Sequence, residues 1–128
     1  MPDKKINRKI AVIFATDVVG YSKHMEANES ETILNLRECE AILTGLFSKY
    51  EGRLFNKGGD SFLAEFPSAV SAVECAVEFQ NAIKERNSND DLSVRLDFRI
   101  GINSGDVVIE NENLLGDGVN IAARLEAL

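Results

Sequence analysis

The segment KIAVIFA (9–15) is a continuous apolar run near the start of the chain. An apolar run without polar alternation is typical of a β-strand that is buried on both of its faces. Thr16, Asp17 and Gly20 then break the pattern, so the strand ends with a carboxylate at its exit. The first strand is therefore predicted to lie inside the protein and to bring an acidic side chain to one end of the sheet.

The rest of the chain alternates between helical and strand patterns. Helices are predicted from Asn28 to Gly52, from Pro67 to the polar loop at 87–91, and from Val119 to Leu128; strands are predicted at 53–55, 62–66, 94–102 and 107–109, with a hairpin at 56–61 and a turn at 103–106. The order β-α-β-β-α-β-β-α predicts an α+β fold of ferredoxin-like type. In this two-layer sandwich, helices pack on one face of an antiparallel sheet.

Composition and charge describe one ordinary globular domain of 128 residues, of which 45% are apolar and 27% are charged. The net charge of −7 argues against a general affinity for nucleic acid or for anionic membranes. No stretch approaches the roughly 18 apolar residues that a membrane span needs.

Cys39 and Cys75 have no metal or redox motif around them, so we expect free core thiols in a reducing, cytoplasmic setting. Residues 1–7 are predicted to be a flexible basic tail ahead of a folded domain at 8–128.

Two acidic residues far apart in the sequence are predicted to meet. If the first and third strands are neighbours, Asp17 at the exit of one lies beside Asp60 in the hairpin that leads into the other. Two close carboxylates repel each other by about 4 kcal/mol at an effective dielectric constant of 20, so they need a shared proton or a cation. Gly58 and Gly59 leave the backbone open for a phosphorylated ligand. Hard oxygen donors of this kind suit Mg²⁺ or Mn²⁺, although both acids also fit ordinary turn positions.

The last predicted helix carries a second candidate pair. Asn120 and Arg124 are four residues apart and share one face, while Ile121, Leu125 and Leu128 are predicted to occupy its packing side. Spacing alone equally fits a solvated polar face.

Four segments resemble the class III nucleotidyl cyclases, the bacterial adenylate/guanylate cyclase catalytic domain. They are FATDVVGYS (14–22), GRLFNKGGDSFLAEF (52–66), FRIGINSGDVV (98–108) and GDGVNIAARLEAL (116–128). The resemblance covers nearly all of the chain from Arg8 onward, and four motifs in the family's order are far more specific than any one of them.

The resemblance implies roles for individual residues. Asp17 and Asp60, with the Val18 carbonyl, match the family's ligands for two Mg²⁺ or Mn²⁺ ions. Asn120 matches the residue that orients the substrate ribose, and Arg124 matches the one that stabilises the pentavalent phosphorus. Members of the family work as head-to-tail dimers, so a homodimer is expected to hold two sites at its interface.

The resemblance also locates two purine-selecting positions, which are occupied by Asn56 and Asn113. An amide both donates and accepts hydrogen bonds, so neither purine is rejected. ATP is the expected substrate because bacterial members are mostly adenylate cyclases, and GTP remains open. On a regular strand, the neighbouring Lys57 would point to the opposite face.

Family domains continue past this last helix into further strands, including one with a lysine that grips the β- and γ-phosphates. The chain stops at Leu128, so we expect a C-terminally truncated cyclase domain that is weak or inactive by itself. Two rival functions remain open. The segment GGDSF (58–62) resembles the GGDEF signature of diguanylate cyclases, and the two asparagines also fit a catalytically inactive nucleotide-binding or dimerisation module.

Overall fold

The computed structural model describes residues 7–126. Most of the predicted basic tail and the last two residues, including Leu128, lie outside the described residues. The elements in chain order are β1 (Asn7–Val18), α1 (Tyr21–Ala27), α2 (Glu29–Lys49), β2 (Arg53–Gly58), β3 (Ser61–Phe66), α3 (Ala69–Asn87), β4 (Phe98–Glu110), β5 (Asn113–Leu115) and α4 (Asp117–Glu126). The strands form one antiparallel sheet in the order β2-β3-β1-β4-β5, which confirms the predicted α+β class and the pairing of the first and third strands.

The apolar run of β1 is buried on both faces, as its sequence predicts. Val12 and Phe14 belong to the main core beneath α2 and α3. Ala11, Ile13 and Ala15 belong to a second apolar cluster, which is closed by α4. The prediction of helices on one face therefore holds for α2 and α3, whereas α4 covers the opposite face. Exposed apolar area costs roughly 25 cal/mol per Å², so a strand that is apolar on both faces requires cover on both.

The two long helices begin where their capping residues predict. Asn28 Oδ1 accepts a hydrogen bond from the Glu31 N–H at 3.2 Å, and Ser68 Oγ accepts one from the Ser71 N–H at 3.1 Å. Caps of this kind stabilise a helix by about 1 kcal/mol. The helix α1, which the sequence pattern did not predict, occupies the stretch between β1 and Asn28. It begins after Gly20, whose φ of 65° lies in the left-handed region.

The strand β4 differs from its prediction. It runs unbroken through residues 103–106, where a turn was expected, and residues 94–97 precede it outside any strand. The cause is β1, which is long enough to pair with β4 from Asn7↔Ile109 to Val18↔Phe98. Alternate residues of the stretch gain ladder hydrogen bonds to β1, and these outweigh the local preference of Asn, Ser, Gly and Asp for turns.

None of the helices found in residues 7–126 combines the length and the apolar character needed to cross a membrane.

Candidate active site

The end of β1 carries the first predicted site residue, Asp17. Alternation along the strand puts its side chain on the same face of the sheet as Ala15, the face that α4 covers. Both carboxylate oxygens accept hydrogen bonds from Arg99 on β4, Oδ1 from Nε at 2.9 Å and Oδ2 from Nη2 at 2.8 Å. Asp17 is only 15% exposed, so the pair is partly shielded from water.

The β2–β3 hairpin carries the second acid, Asp60. Gly59, with a φ of 58°, supplies the left-handed residue of the turn. The Asp60 Oδ2 accepts a hydrogen bond from the Val18 N–H at 3.1 Å. The hairpin therefore brings its carboxylate to the peptide that joins Asp17 to Val18, as the predicted topology requires. A Cβ atom built at Gly58 or Gly59 would meet nothing within 4 Å, so space is open beside the turn.

The donor set at this end of the sheet is small and hard. Two carboxylates and the main chain at Val18 are oxygen ligands of the kind that Mg²⁺ and Mn²⁺ prefer. Among residues 7–126, no group of three or more His, Cys, Asp or Glu side chains is placed to hold a metal ion. Cys39 and Cys75 are both buried and unpaired, which confirms the prediction of free core thiols.

The predicted purine-selecting residues lie on different strands. Asn56 pairs with Leu63, whose side chain packs in the α4-side cluster, so Asn56 faces the same side of the sheet as Asp17. Lys57 points to the other side, where its Nζ lies 2.7 Å from Glu40 Oε2 on α2, as predicted for adjacent strand residues. Asn113 opens β5 and accepts a hydrogen bond from the N–H of its neighbour Leu114 at 2.9 Å.

The helix α4 holds Asn120 and Arg124 on its exposed face. Its inner face consists of small or short side chains, Val119 and Ala122, which pack in the second apolar cluster. The prediction that Ile121 and Leu125 occupy the packing side is wrong, because they are 41% and 39% exposed. Small residues on the inner face let the helix approach the sheet closely. The larger apolar residues, Ile121 and Leu125, lie on the outer side of the helix.

Two contacts fix the start of α4 against β4. The Asn103 Nδ2 donates a hydrogen bond to the Gly118 carbonyl at 3.1 Å. Gly118 packs so tightly that a Cβ atom on it would lie 2.6 Å from the Asp106 carbonyl oxygen. Gly118 therefore holds the start of the helix in close contact with the sheet.

The two candidate pairs remain separate within one chain. In the described part of the protein, no hydrogen bond or ion pair joins Asn120 or Arg124 to Asp17 or Asp60. Sequence reasoning missed Arg99, which directly contacts a predicted site residue. The signal was present in the alternation of Arg95, Asp97 and Arg99 along a predicted strand, but the partner of each depends on the register with β1.

Residues 3–128 match the family of the adenylate and guanylate cyclase catalytic domain. A protein of Rhizobium meliloti (strain 1021) named "Putative adenylate cyclase 3" is 43% identical over 129 residues, covering 100% of this chain and 22% of that protein. The crystal structure of an adenylate/guanylate cyclase/hydrolase from Silicibacter pomeroyi is 38% identical, with a TM-score of 0.83, and the match covers 96% of this chain and 72% of that one. A bacterial light-regulated adenylyl cyclase is 25% identical, with a TM-score of 0.87 over 94% of this chain and 70% of that one.

The chain thus spans about a fifth of the length of the first of these relatives and about seven-tenths of the two solved chains. The family match extends over nearly every residue, and it includes all four segments in which the candidate site residues lie. The protein therefore belongs to the family of the adenylate and guanylate cyclase catalytic domain.

Proposed function

We propose that the protein is a purine nucleotide cyclase that converts ATP to 3′,5′-cyclic AMP and pyrophosphate. The ribose 3′-oxygen forms a bond to the α-phosphorus, the bond from that phosphorus to the pyrophosphate leaving group breaks, and the hydroxyl proton is released. The observation that carries the proposal is the hydrogen bond from the Val18 N–H to Asp60 Oδ2, since it brings one predicted metal ligand to the peptide beside the other.

Asp17, Asp60 and the Val18 carbonyl would hold two Mg²⁺ or Mn²⁺ ions. Their hard oxygen chemistry and the open space at Gly58 and Gly59 fit such ions together with a triphosphate. When bound there, the ions supply charge neutralisation for the triphosphate and make the 3′-hydroxyl more acidic.

The remaining chemistry falls to α4. Asn120 orients the ribose, and the Arg124 guanidinium stabilises the charge that develops on the α-phosphoryl oxygens. Because neither contacts the acids of its own chain, we propose that a second copy supplies them in a head-to-tail homodimer. The exposed side chains of Ile121 and Leu125 support this, since they give the same helix an apolar surface to bury.

Asn56 and Asn113 are proposed to contact the purine base. Their amides fit either adenine or guanine, so the preference for ATP rests on the adenylate cyclase names among the relatives.

The test is product identification in the full-length protein with Mn²⁺ and either ATP or GTP. We expect cyclic AMP from ATP, and loss of product in Asp17→Asn, Asp60→Asn and Arg124→Ala. A cyclic dinucleotide from GTP would instead identify a diguanylate cyclase, and no product from either nucleotide would indicate an inactive binding module.

Mixing two inactive variants tests the shared site. An equal mixture of Asp17→Asn and Arg124→Ala proteins should recover about a quarter of the wild-type rate, because half of the dimers are mixed and each has one intact site. A mixture as inactive as its components would exclude sites shared between subunits. The matched control mixes Asp17→Asn with Asp60→Asn, which places both lesions in the same half-site and should restore nothing.

A further inference from the structure

We propose that Arg99 is a positioning residue that competes with divalent cations for the Asp17 carboxylate and thereby makes metal binding depend on the nucleotide. The proposal rests on the proposed function, in which Asp17 is a metal ligand.

The Arg99 guanidinium makes a bidentate ion pair with the Asp17 carboxylate. Each oxygen of Asp17 accepts one N–H from the same guanidinium, at 2.9 and 2.8 Å. Charge-assisted, two-point pairs of this kind are the strongest hydrogen-bonded contacts that arginine makes. With Asp17 15% exposed and Arg99 37% exposed, water screens the pair only in part.

The sheet builds this pair into the fold. Asp17 and Arg99 are directly opposite each other in the β1–β4 ladder. The Thr16 hydroxyl donates a hydrogen bond to the Arg99 carbonyl at 2.7 Å, and Thr16 is fully buried. The backbone positions of both partners are therefore fixed, so the guanidinium stays within reach of the carboxylate.

Asp17 and Asp60 accept hydrogen bonds from groups of different charge. Asp60 Oδ2 accepts from the neutral Val18 N–H, whereas both oxygens of Asp17 face a full positive charge. A divalent cation that binds Asp17 must displace the guanidinium from an oxygen or share the carboxylate with it, and either arrangement lowers the affinity for the cation. A bound triphosphate adds negative charge that offsets Arg99. The penalty therefore falls mainly on metal that binds without nucleotide.

The test measures Mn²⁺ binding by electron paramagnetic resonance in the full-length protein without nucleotide. We expect Arg99→Gln to bind Mn²⁺ about tenfold more tightly than wild type, within the range usual for coupling between sites. Arg99→Lys keeps the positive charge and should remain close to wild type. Arg99→Met removes the charge with a different side chain, so the test does not depend on the folding of one variant.

Arg53→Gln is the matched control. Arg53 is also directly opposite a carboxylate in the sheet, that of Glu65 on β3, and its Nη2 lies 3.2 Å from Glu65 Oε1. Its loss should leave Mn²⁺ affinity unchanged, which separates the local effect of Arg99 from that of any lost cross-strand ion pair.

A second measurement adds a non-reactive α,β-methylene ATP analogue. It should tighten Mn²⁺ binding less in Arg99→Gln than in wild type, because the charge that it offsets is gone. Unchanged or weaker Mn²⁺ binding in both charge-removing variants would overturn the proposal. Asp17→Asn and Asp60→Asn distinguish the two levels: if they bind Mn²⁺ as wild type does, the metal site itself is wrong, whereas if they lose binding and Arg99→Gln gains none, only the role of Arg99 fails.

Discussion

Replacing Gly118 with alanine tests whether close packing of α4 on the sheet holds Asn120 and Arg124 in place. The added Cβ would lie 2.6 Å from the Asp106 carbonyl oxygen and 3.2 Å from Val107 Cγ1. Ordinary van der Waals contact begins near 3.4 Å, so the carbonyl is about 0.8 Å too close. Because the atom it meets is backbone, the start of the helix must move away from β4.

The size of the effect follows from that displacement. Overpacking of this kind costs about 1–3 kcal/mol of unfolding free energy. The better helix propensity of alanine recovers less than about 1 kcal/mol, since Gly118 lies in the first turn. A shift approaching 1 Å in catalytic side chains lowers turnover by up to about a hundredfold. We therefore expect Gly118→Ala to be destabilised by about 1–2 kcal/mol and to lose most of the proposed cyclase activity in the full-length protein.

Urea unfolding and a cyclase assay on the same preparation provide the measurement. Gly45→Ala is the control, because Gly45 lies within α2 and its Cβ would meet nothing within 4 Å. It should gain about 0.5–1 kcal/mol and keep its activity. If Gly118→Ala were as stable and as active as wild type, the packing of Gly118 on Asp106 would not be what positions α4.

Three further predictions concern stability and reactivity. Phe79→Ala should cost about 3–5 kcal/mol by urea unfolding because Phe79 is fully buried, whereas the exposed Val77→Ala on the same helix should cost less than about 0.5 kcal/mol. Burial raises the pKa of the Cys75 thiol to about 12, so Ellman's reagent at pH 8 should modify it only after unfolding, and rapid modification of the native protein would contradict its buried position. Burial acts to raise the pKa of Glu65, but hydrogen bonds from a lysine of β1 and an arginine of β2 outweigh it and lower the pKa. The stability that Glu65 adds should therefore be fully present at neutral pH and be lost as the pH falls through its lowered pKa, and Glu65→Gln should flatten that loss in acid unfolding curves.

The positions of Asp17 and Asp60 could be predicted because each depends on a short sequence pattern. The apolar run before Asp17 identifies a strand end, and the glycines around Asp60 identify a hairpin. Antiparallel pairing of the first and third strands then brings the two acids to one end of the sheet, which needs no knowledge of side-chain packing. This is why the Asp60 contact with Val18 agrees with the prediction.

The Arg99–Asp17 pair depends on information that no local pattern contains. The two residues are 82 positions apart, and they meet because the register of the β1–β4 ladder places them directly opposite each other. A slip of one residue would turn Arg99 to the opposite face of the sheet. The sequence predicts a turn at residues 103–106, so the correct register could not be inferred from it.

The orientation of α4 could not be predicted for a related reason. An amphipathic pattern in which large apolar residues pack inward would bury Ile121 and Leu125 and turn Val119 and Ala122 toward solvent. The structure has the reverse, because the contact of Gly118 with the Asp106 carbonyl admits only small side chains between helix and sheet.

A monomer gains nothing from exposing two large apolar side chains beside an arginine. A second copy that buries them would recover roughly 25 cal/mol per Å² of covered apolar surface. In the proposed dimer it would also bring Asn120 and Arg124 to the acids of the other subunit. The rotation of one helix therefore links the packing of the fold to the proposed sharing of the active site between subunits.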